Sequence, residues 1–588
     1  MDKQSAIGFG LLLLLLAGYL YINKDNPSAE SEKDQTKAPK TEQVAKDSTA
    51  QTQKDSTQIV ENSPAPEVEQ VAEETILLSN DVMDISFTNI GAYPTKIYLK
   101  KYKTFSQKEL NLFDGPKNYY DFEYKVGGAV KHTKGQSFSH AQNGNSITFT
   151  NDDGIALTYT LPEGEYMMDV NLKAGQSDRS GMKLNWESQS LHIEKDKANE
   201  TRYASLCYNI ADDGFERVDN FTEKETEELS KTVNFVSFKQ HFFNTTVIPE
   251  KGVAESGVAT VWPTDESEGK YVTNFKASLD LKSKDELNFK IFNGPNEYKT
   301  LKQYNEGIEE IVPLSIYSWL GFIKYINKWF IIPIFNFLAK YISNYGIVIL
   351  ILTFIIRLIM SPFTYKSYVS SAKMKALKPE LDALKEKFKD NQQAYGMEQM
   401  KLYKQAGVNP LGGCLPALLQ MPVFLALFSF FPHAIELRQK KFLWADDLSS
   451  YDSILTLPFD IPMYGSHVSL FTILFCVTSM LLALYSMSTA TARQDNPVMK
   501  YLPFIMPIMF LGIFNSFPAA LTFYYFVSNL ITLGLQVVIQ KFIINPDKIR
   551  AQILAKKNEP PKESKFVKKM QQLQEQNKEK MNRSQRRQ

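Results

Sequence analysis

The stretch "ILTFIIRLIMSPFT", Ile351–Thr364, decides how the rest of this chain is read. It is apolar enough to cross a bilayer, yet it carries Arg357 in its middle. A guanidinium at depth costs at least about 2.5 kcal/mol on insertion scales, so such a residue lines water, pairs with an anion or snorkels to a surface. Snorkelling is open to Arg357, because Ser361 follows one helical turn later. Against it stands a second observation: no Asp or Glu occurs in the apolar core of any segment that reads as a span. An arginine retained inside therefore has only water and neutral polar groups as partners. The candidates are Thr353, one turn before it, and Gln420, Ser528 and Asn529 on other segments. A cation held in this way is available to an anion arriving from outside the protein.

Outward from that stretch, the 588 residues separate into a polar region, residues 24–310, and an apolar one, residues 313–544. Any average over the two hides both. Five apolar segments read as spans, at about 344–361, 415–431, 467–487, 501–517 and 519–543. Several sit at the short end of the roughly 17 to 25 residues a span needs, which predicts local membrane thinning. A sixth apolar run, "IGFGLLLLLLAGYLYI", lacks a small-x-small cleavage site and a lipobox cysteine, so residues 1–23 read as a retained signal anchor. Before the first core span, "LSIYSWLGFIKYINKWFIIPIFNFLAKYI" mixes Trp, Tyr and Lys with aliphatics. That mixture favours the headgroup boundary and predicts an interfacial amphipathic helix within 303–343, with a conventional span as the alternative.

Net charge is +1, but the charges are segregated. Residues 24–74 are polar, with acids outnumbering bases and almost no aromatics, and read as a disordered tether. The segment 362–412 is rich in lysine, including Lys373, Lys375, Lys385, Lys387 and Lys404, whereas the loop 432–466 is not. The positive-inside rule then puts the lysine-rich segment and both termini in the cytoplasm and the polar region outside. Within "KMKALKPELDALKEKFK", Met374, Leu377, Leu381, Leu384 and Phe388 recur in steps of three and four. This predicts a helical hairpin, broken or restarted at Pro379, whose second helix carries Met397, Met400 and Tyr403. The hairpin serves either as a stiffener or as a docking surface. The tail 544–588 is basic and partly helical, suited to anionic lipid or nucleic acid or acting only as a topology determinant.

Residues 75–302 alternate with period two, most clearly in "SITFTNDDGIALTYTLPEGEYMMDVNL", where turns at Asp153-Gly154 and Glu163-Gly164 separate the runs. An antiparallel, all-β sandwich domain follows. Of the three cysteines only Cys207 lies there, while Cys414 and Cys476 fall in apolar segments, so no structural disulfide is expected. Enzyme signatures are sparse. "SSAK", Ser370–Lys373, fits S-x-x-K without companion motifs, the six histidines lack metal-ligand spacing and no phosphate-binding glycine loop occurs. No catalytic site, cofactor or metal is expected. A transporter or channel is the main rival reading, disfavoured by the lack of an internal repeat, and a membrane-bound acyltransferase or protease is a distant third.

"NPLGGCLPALLQMPVFLALF", Asn409–Phe428, closely resembles the third-span signature of the YidC/Oxa/Alb family of membrane protein insertases. "FIIRLIMSPFTYKSYVSSAKMKALKPE", "ELRQKKFLWADDLSSYD" and "FPAALTFYYFVSN" are similar to that family's second span and hairpin, outer loop and last span. "TNIGAYPTKIYLKKY" and "FNGPNEY" resemble the start and end of its periplasmic domain. The resemblance implies six transmembrane helices, with a five-helix insertase core at 344–543, and a periplasmic β-supersandwich in the bacterial inner membrane. It further implies a hydrophilic groove built from Arg357, Thr353, Gln420, Met421, Tyr524, Ser528 and Asn529. The clients implied are nascent membrane proteins, handled alone or with the Sec translocon. Membrane lipids and the ribosome, reached through the hairpin and tail, are the other implied partners, and no small-molecule substrate is. Two departures stand out: Ala520 replaces a common glycine, and "LTLPFDIPMYGSH" is not a close match.

Overall fold

The computed structural model describes residues 72–558 except 116, 179–180, 220, 266–268, 283, 316–319, 389–390, 410–414, 463 and 490–496. The expected anchor at 1–23, nearly all of the tether at 24–74, and the tail beyond 558 lie outside the described residues, as does Cys414. Among the described residues the chain divides into two compact units, one reaching Val312 and one starting at Pro313.

The first unit is all-β, with a nine-stranded, a six-stranded and a four-stranded antiparallel sheet. Alternation put one face of each strand inside: Ile147, Phe149, Leu157, Tyr159, Met168, Val170 and Leu172 are all buried. Strand Ser146–Thr150 pairs with Ala156–Thr160, and the latter with Met167–Lys173, in one continuous meander. The turns between them need left-handed backbone, supplied by Gly154 at φ +74° and Gly164 at φ +75°. The nine- and six-stranded sheets meet through aromatic side chains; Trp186 stacks on Phe238 and Phe122 lies 6.0 Å from Phe289 between ring centroids. Cys207 is fully buried in strand Ser205–Ile210, and burial pushes its thiol up to about 12. Helix α1, Lys197–Tyr203, is capped by Asp196, which accepts from the Ala198 amide at 2.9 Å. Helix α2, Tyr298–Gln303, and a turn at Ile308–Ile311 bury Leu301, Ile308 and Ile311. These residues belong to the β unit's own packing, so that unit extends past residue 302 to Val312.

The second unit is helical. Helix α3, Phe322–Ile326, passes through a π-helical turn, Asn327–Ile331, into α4, Ile332–Tyr341. Its buried stripe is Ile323, Asn327, Ile331 and Phe335, while Phe322, Tyr325, Trp329, Phe337 and Tyr341 are exposed. Helix α5, Tyr345–Ala376, starts at the cap Asn344 and runs unbroken through Pro362, so the first arm of the hairpin is the continuation of a span. The break comes at Leu377, where α6, Lys378–Lys387, restarts with Pro379 in its first turn. Helix α7, Gln392–Gln405, is capped by Asn391. The remaining helices are α8 (Leu415–Phe430), α9 (Leu470–Thr489), α10 (Pro497–Asn515), α11 (Ala519–Val538) and α12 (Pro546–Asn558).

Among the described residues three helices are long and apolar enough to cross a membrane, at Tyr345–Ala376, Leu470–Met487 and Ala519–Ile543. Two shorter apolar ones, Leu418–His433 and Pro503–Asn515, stand where the second and fourth core spans were expected. Helix α9 begins later than expected from hydropathy, because His467 and Val468 are drawn into a two-stranded ribbon, Leu455–Ile461 with Gly465–Val468. In the hairpin Leu377 and Leu381 are buried as the spacing implied, but Met397 and Met400 are exposed. The inward stripe of α7 is Leu402 and Tyr403, continued by its C-cap Ala406, and α12 packs on it with Ile549 and Ile553.

Candidate functional site

Around Arg357 the bundle core is built from one stripe of α5. Val348, Ile349, Leu352 and Ile356 pack against Leu427, Phe430, Phe475, Phe514 and Tyr524 of α8 to α11. The opposite stripe, Ile347, Leu350, Phe354 and Leu358, is exposed and apolar, as a lipid-facing surface requires. Arg357 falls between the two stripes and is partly buried. Its side chain crosses to two other helices: Nε donates to Ser528 Oγ of α11 at 2.8 Å and Nη1 to Gln420 Oε1 of α8 at 3.1 Å. Nη2 donates to Ser528 Oγ as well. No carboxylate among the described residues is ion-paired with it; the acceptors are one hydroxyl and one amide.

The other residues singled out in the sequence distribute around this point. Tyr524, fully buried on α11, and Tyr368 of α5 lie close enough to the guanidinium to interact with it electrostatically. Met421, next to Gln420, is exposed. Thr353 is fully buried and donates to its own helix at Ile349 O, 2.6 Å away, so it does not bond Arg357. A hydroxyl one turn earlier finds that carbonyl more readily than a side chain pointing along a different stripe. Asn529 also turns away, donating to Ser479 Oγ at 2.7 Å and Thr478 Oγ1 at 3.4 Å of α9. Adjacent positions on a helix point about 100° apart, so Ser528 and Asn529 serve different neighbours.

Three further polar residues were not singled out from the sequence. Gln536, buried two turns beyond Asn529, donates to Ser486 at 3.3 Å, so Ser528, Asn529 and Gln536 make α11 polar along its length. Asn327 is fully buried and donates to Leu314 O at 2.8 Å and Ala426 O at 2.9 Å, tying the amphipathic helix to α8. Asp452 is buried at the far end of the bundle, accepting from Trp444 Nε1 at 2.9 Å and the Phe471 amide at 3.0 Å, a cap on α9. Each reads in sequence as an ordinary loop or helix polar residue. Their interior placement had no local signal.

On the hairpin, Lys375, Lys385, Lys387 and Lys404 are exposed and Lys373 is half-buried. Helix α12 closes one side: Lys557 Nζ is 2.6 Å from Glu380 Oε1, and Gly407, at φ +62°, leaves room for the Lys556 stem. Ser370, the serine of the isolated S-x-x-K match, donates to Asn409 O at 2.9 Å. Among the described residues no group of His, Cys, Asp and Glu could hold a metal ion.

These features define a class: an integral membrane protein whose helical bundle holds an arginine that, among the described residues, bonds only neutral groups on a polar seam, and whose other unit is all-β. The particular family follows from comparison. Residues 337–547 match the family model described as 60Kd inner membrane protein, and residues 75–329 match the YidC periplasmic domain. The membrane protein insertase YidC of Amoebophilus asiaticus is 37% identical, covering 97% of this chain and 98% of the relative. That of Parabacteroides distasonis is 32% identical over 98% and 97%. A crystal structure of an active YidC insertase with its first transmembrane domain resolved is 19% identical, with TM-score 0.33, over 80% of this chain and 93% of that one. The chain belongs to the YidC family of membrane protein insertases.

Proposed function

We propose that the chain inserts membrane proteins by giving the charged, translocated part of a client a hydrated resting place beside Arg357. The observation that carries this is that, among the described residues, no carboxylate pairs with the guanidinium, which reaches two other helices on neutral acceptors. A polar seam of Gln420, Ser528 and Asn529, with Tyr524 behind and Met421 on the exposed flank, supports a groove into which a client helix slides from the side. An acidic residue costs about 2.5 to 3.5 kcal/mol at the bilayer centre, and a fixed cation partway across lowers that step. Thr353 belongs to the groove wall rather than to the arginine's hydrogen bonds. The driving force is the client's own apolar helix, gaining about 0.3 to 0.6 kcal/mol per large aliphatic residue on entering lipid. No chemical step or nucleotide is needed.

In the same reading the lysine-rich end faces the cytoplasm, both termini lie there, the β unit is periplasmic, and six helices span. The hairpin lysines and α12 form one surface, suited to the Sec translocon or to the ribosome. The decisive measurement is insertion into vesicles reconstituted with purified protein, using nascent clients that differ only in the charge of their translocated tail. Arg357→Ala is expected to slow acidic-tailed clients several-fold and leave neutral-tailed ones unchanged, and Arg357→Lys to retain most activity if charge alone acts. Equal rates for wild type and Arg357→Ala on acidic tails would exclude the electrostatic role.

A further inference from the structure

The ribbon Leu455–Ile461/Gly465–Val468 carries an apolar surface. Ile454, Leu455, Phe459 and Ile461 are 50%, 56%, 60% and 37% exposed. Thr456 pairs with His467 and Ile461 with Gly465, so residues 457–460 arch outward opposite Ser466 alone. Exposed strand edges in water are normally guarded by lysine or other charge, and an isolated two-stranded ribbon is marginal there. Here Asp460 is the only acid and there is no Lys or Arg between residues 453 and 468.

The attachment of the ribbon fixes its level. Asn515, the last residue of α10, donates from Nδ2 to Tyr464 O at 2.8 Å and His467 O at 2.7 Å, and its Oδ1 accepts from the Ser469 amide at 3.0 Å. His467 Nε2 returns to Asn515 O at 2.9 Å. Strand Gly465–Val468 is thereby pinned at both ends to one residue, and it lies across the ends of α9 and α10 instead of projecting from them. Leu455 pairs with Val468, two residues before α9 begins, so the ribbon sits at the end of α9, and the outer faces of α9 and α10 expose Val477, Leu481 and Ile508. Trp444, partly exposed, packs its ring on Phe471 at the start of α9, and tryptophan is enriched at membrane interfaces.

We infer that this ribbon is a lipid-contacting wedge, with Leu455, Phe459 and Ile461 seated among the acyl chains and headgroups of the leaflet remote from the lysine-rich hairpin. The occupant is a phospholipid surface, chosen over a protein partner because the patch adjoins the ends of α9 and α10, whose outer faces are apolar, and Asp460 is its one charged side chain. The inference needs only that the bundle spans a membrane and is independent of any role for Arg357.

The test places single nitroxide labels on the full chain in phosphatidylethanolamine/phosphatidylglycerol vesicles, with the three native cysteines replaced. Phe459→Cys and Leu455→Cys are read against Leu481→Cys as a lipid-facing reference and Lys387→Cys as an aqueous one. Labels at 455 and 459 are expected to favour oxygen over a water-soluble nickel chelate, shifted towards the ratio at 481. A ratio equal to that at 387 would overturn the wedge. So would a label shielded from both reagents, the signature of a second copy or another protein on the ribbon.

Discussion

In the proposed function Arg357 takes its role from what it is not given. A guanidinium offers five N–H donors. Ser528 and Gln420 take three of them, leaving two for water or for a client's carboxylate. Ser528→Asp supplies that carboxylate from within. The substitution is expected to quench insertion of acidic-tailed clients as strongly as Arg357→Ala, although the arginine remains and the bundle gains a charge-assisted bond of about 1.5 to 3 kcal/mol. Unchanged insertion by the Ser528→Asp protein would separate the arginine from client charge. In the β unit, His192 is bonded to the buried carboxylate of Glu200, which also accepts from the Ile193 and Glu194 amides at 2.9 Å. That hydrogen bond raises the imidazole above its ordinary 6.5. A raised folded-state value means the stabilisation is fully present below pH 6.5 and is lost as pH rises through the higher folded value. Thermal unfolding of the full chain between pH 6 and pH 8 should show the β-unit transition falling, and His192→Gln should flatten that slope.

At the scale of elements, two contacts hold the helical unit's ends in register. Helix α12 is docked by Ile549 and Ile553 on Leu381, Leu402 and Tyr403, with Lys557 paired to Glu380 at the edge of the contact. Ile553→Ala removes a buried side chain from a small cluster and is expected to weaken docking by about 2 kcal/mol. Hydrogen exchange across residues 546–558 should then accelerate while α5 is unaffected. At the other end, Gly346 lies in the first turn of α5, where an added Cβ would sit 2.1 Å from the Phe442 ring. Gly346→Ala therefore has to move Phe442, which packs 4.9 Å from Phe523 between ring centroids. A loss of about 1 to 3 kcal/mol in the helical unit, read as a lower midpoint of denaturation in detergent, is expected from such overpacking. The same contact explains a small residue at a helix start that hydropathy treats as unremarked.

For the whole molecule the lengths of the helices matter together. Ala519–Ile543 is 25 residues, whereas α8, Leu415–Phe430, is 16 and α10, Pro497–Asn515, is 19, so no single slab of lipid matches them all. Insertion rates in vesicles of graded acyl-chain length should fall as the bilayer thickens, and rates independent of thickness would count against local thinning. Much of this architecture was legible in the chain alone. Period-two alternation in residues 146–172 marked the buried face, because a strand has only two sides. Apolar runs marked the core helices, because nothing else buries such segments. Arg357 stood out by its cost, and Ser528 and Gln420 by being neutral. What the chain could not reveal is which polar groups meet. Thr353 and Asn529 satisfy themselves on Ile349 and α9, Met397 and Met400 face outward, and α12 covers the hairpin. Local pattern sets which residues must be buried; their partners depend on helix rotation and contacts between residues scores of positions apart, and only the packed tertiary structure decides those.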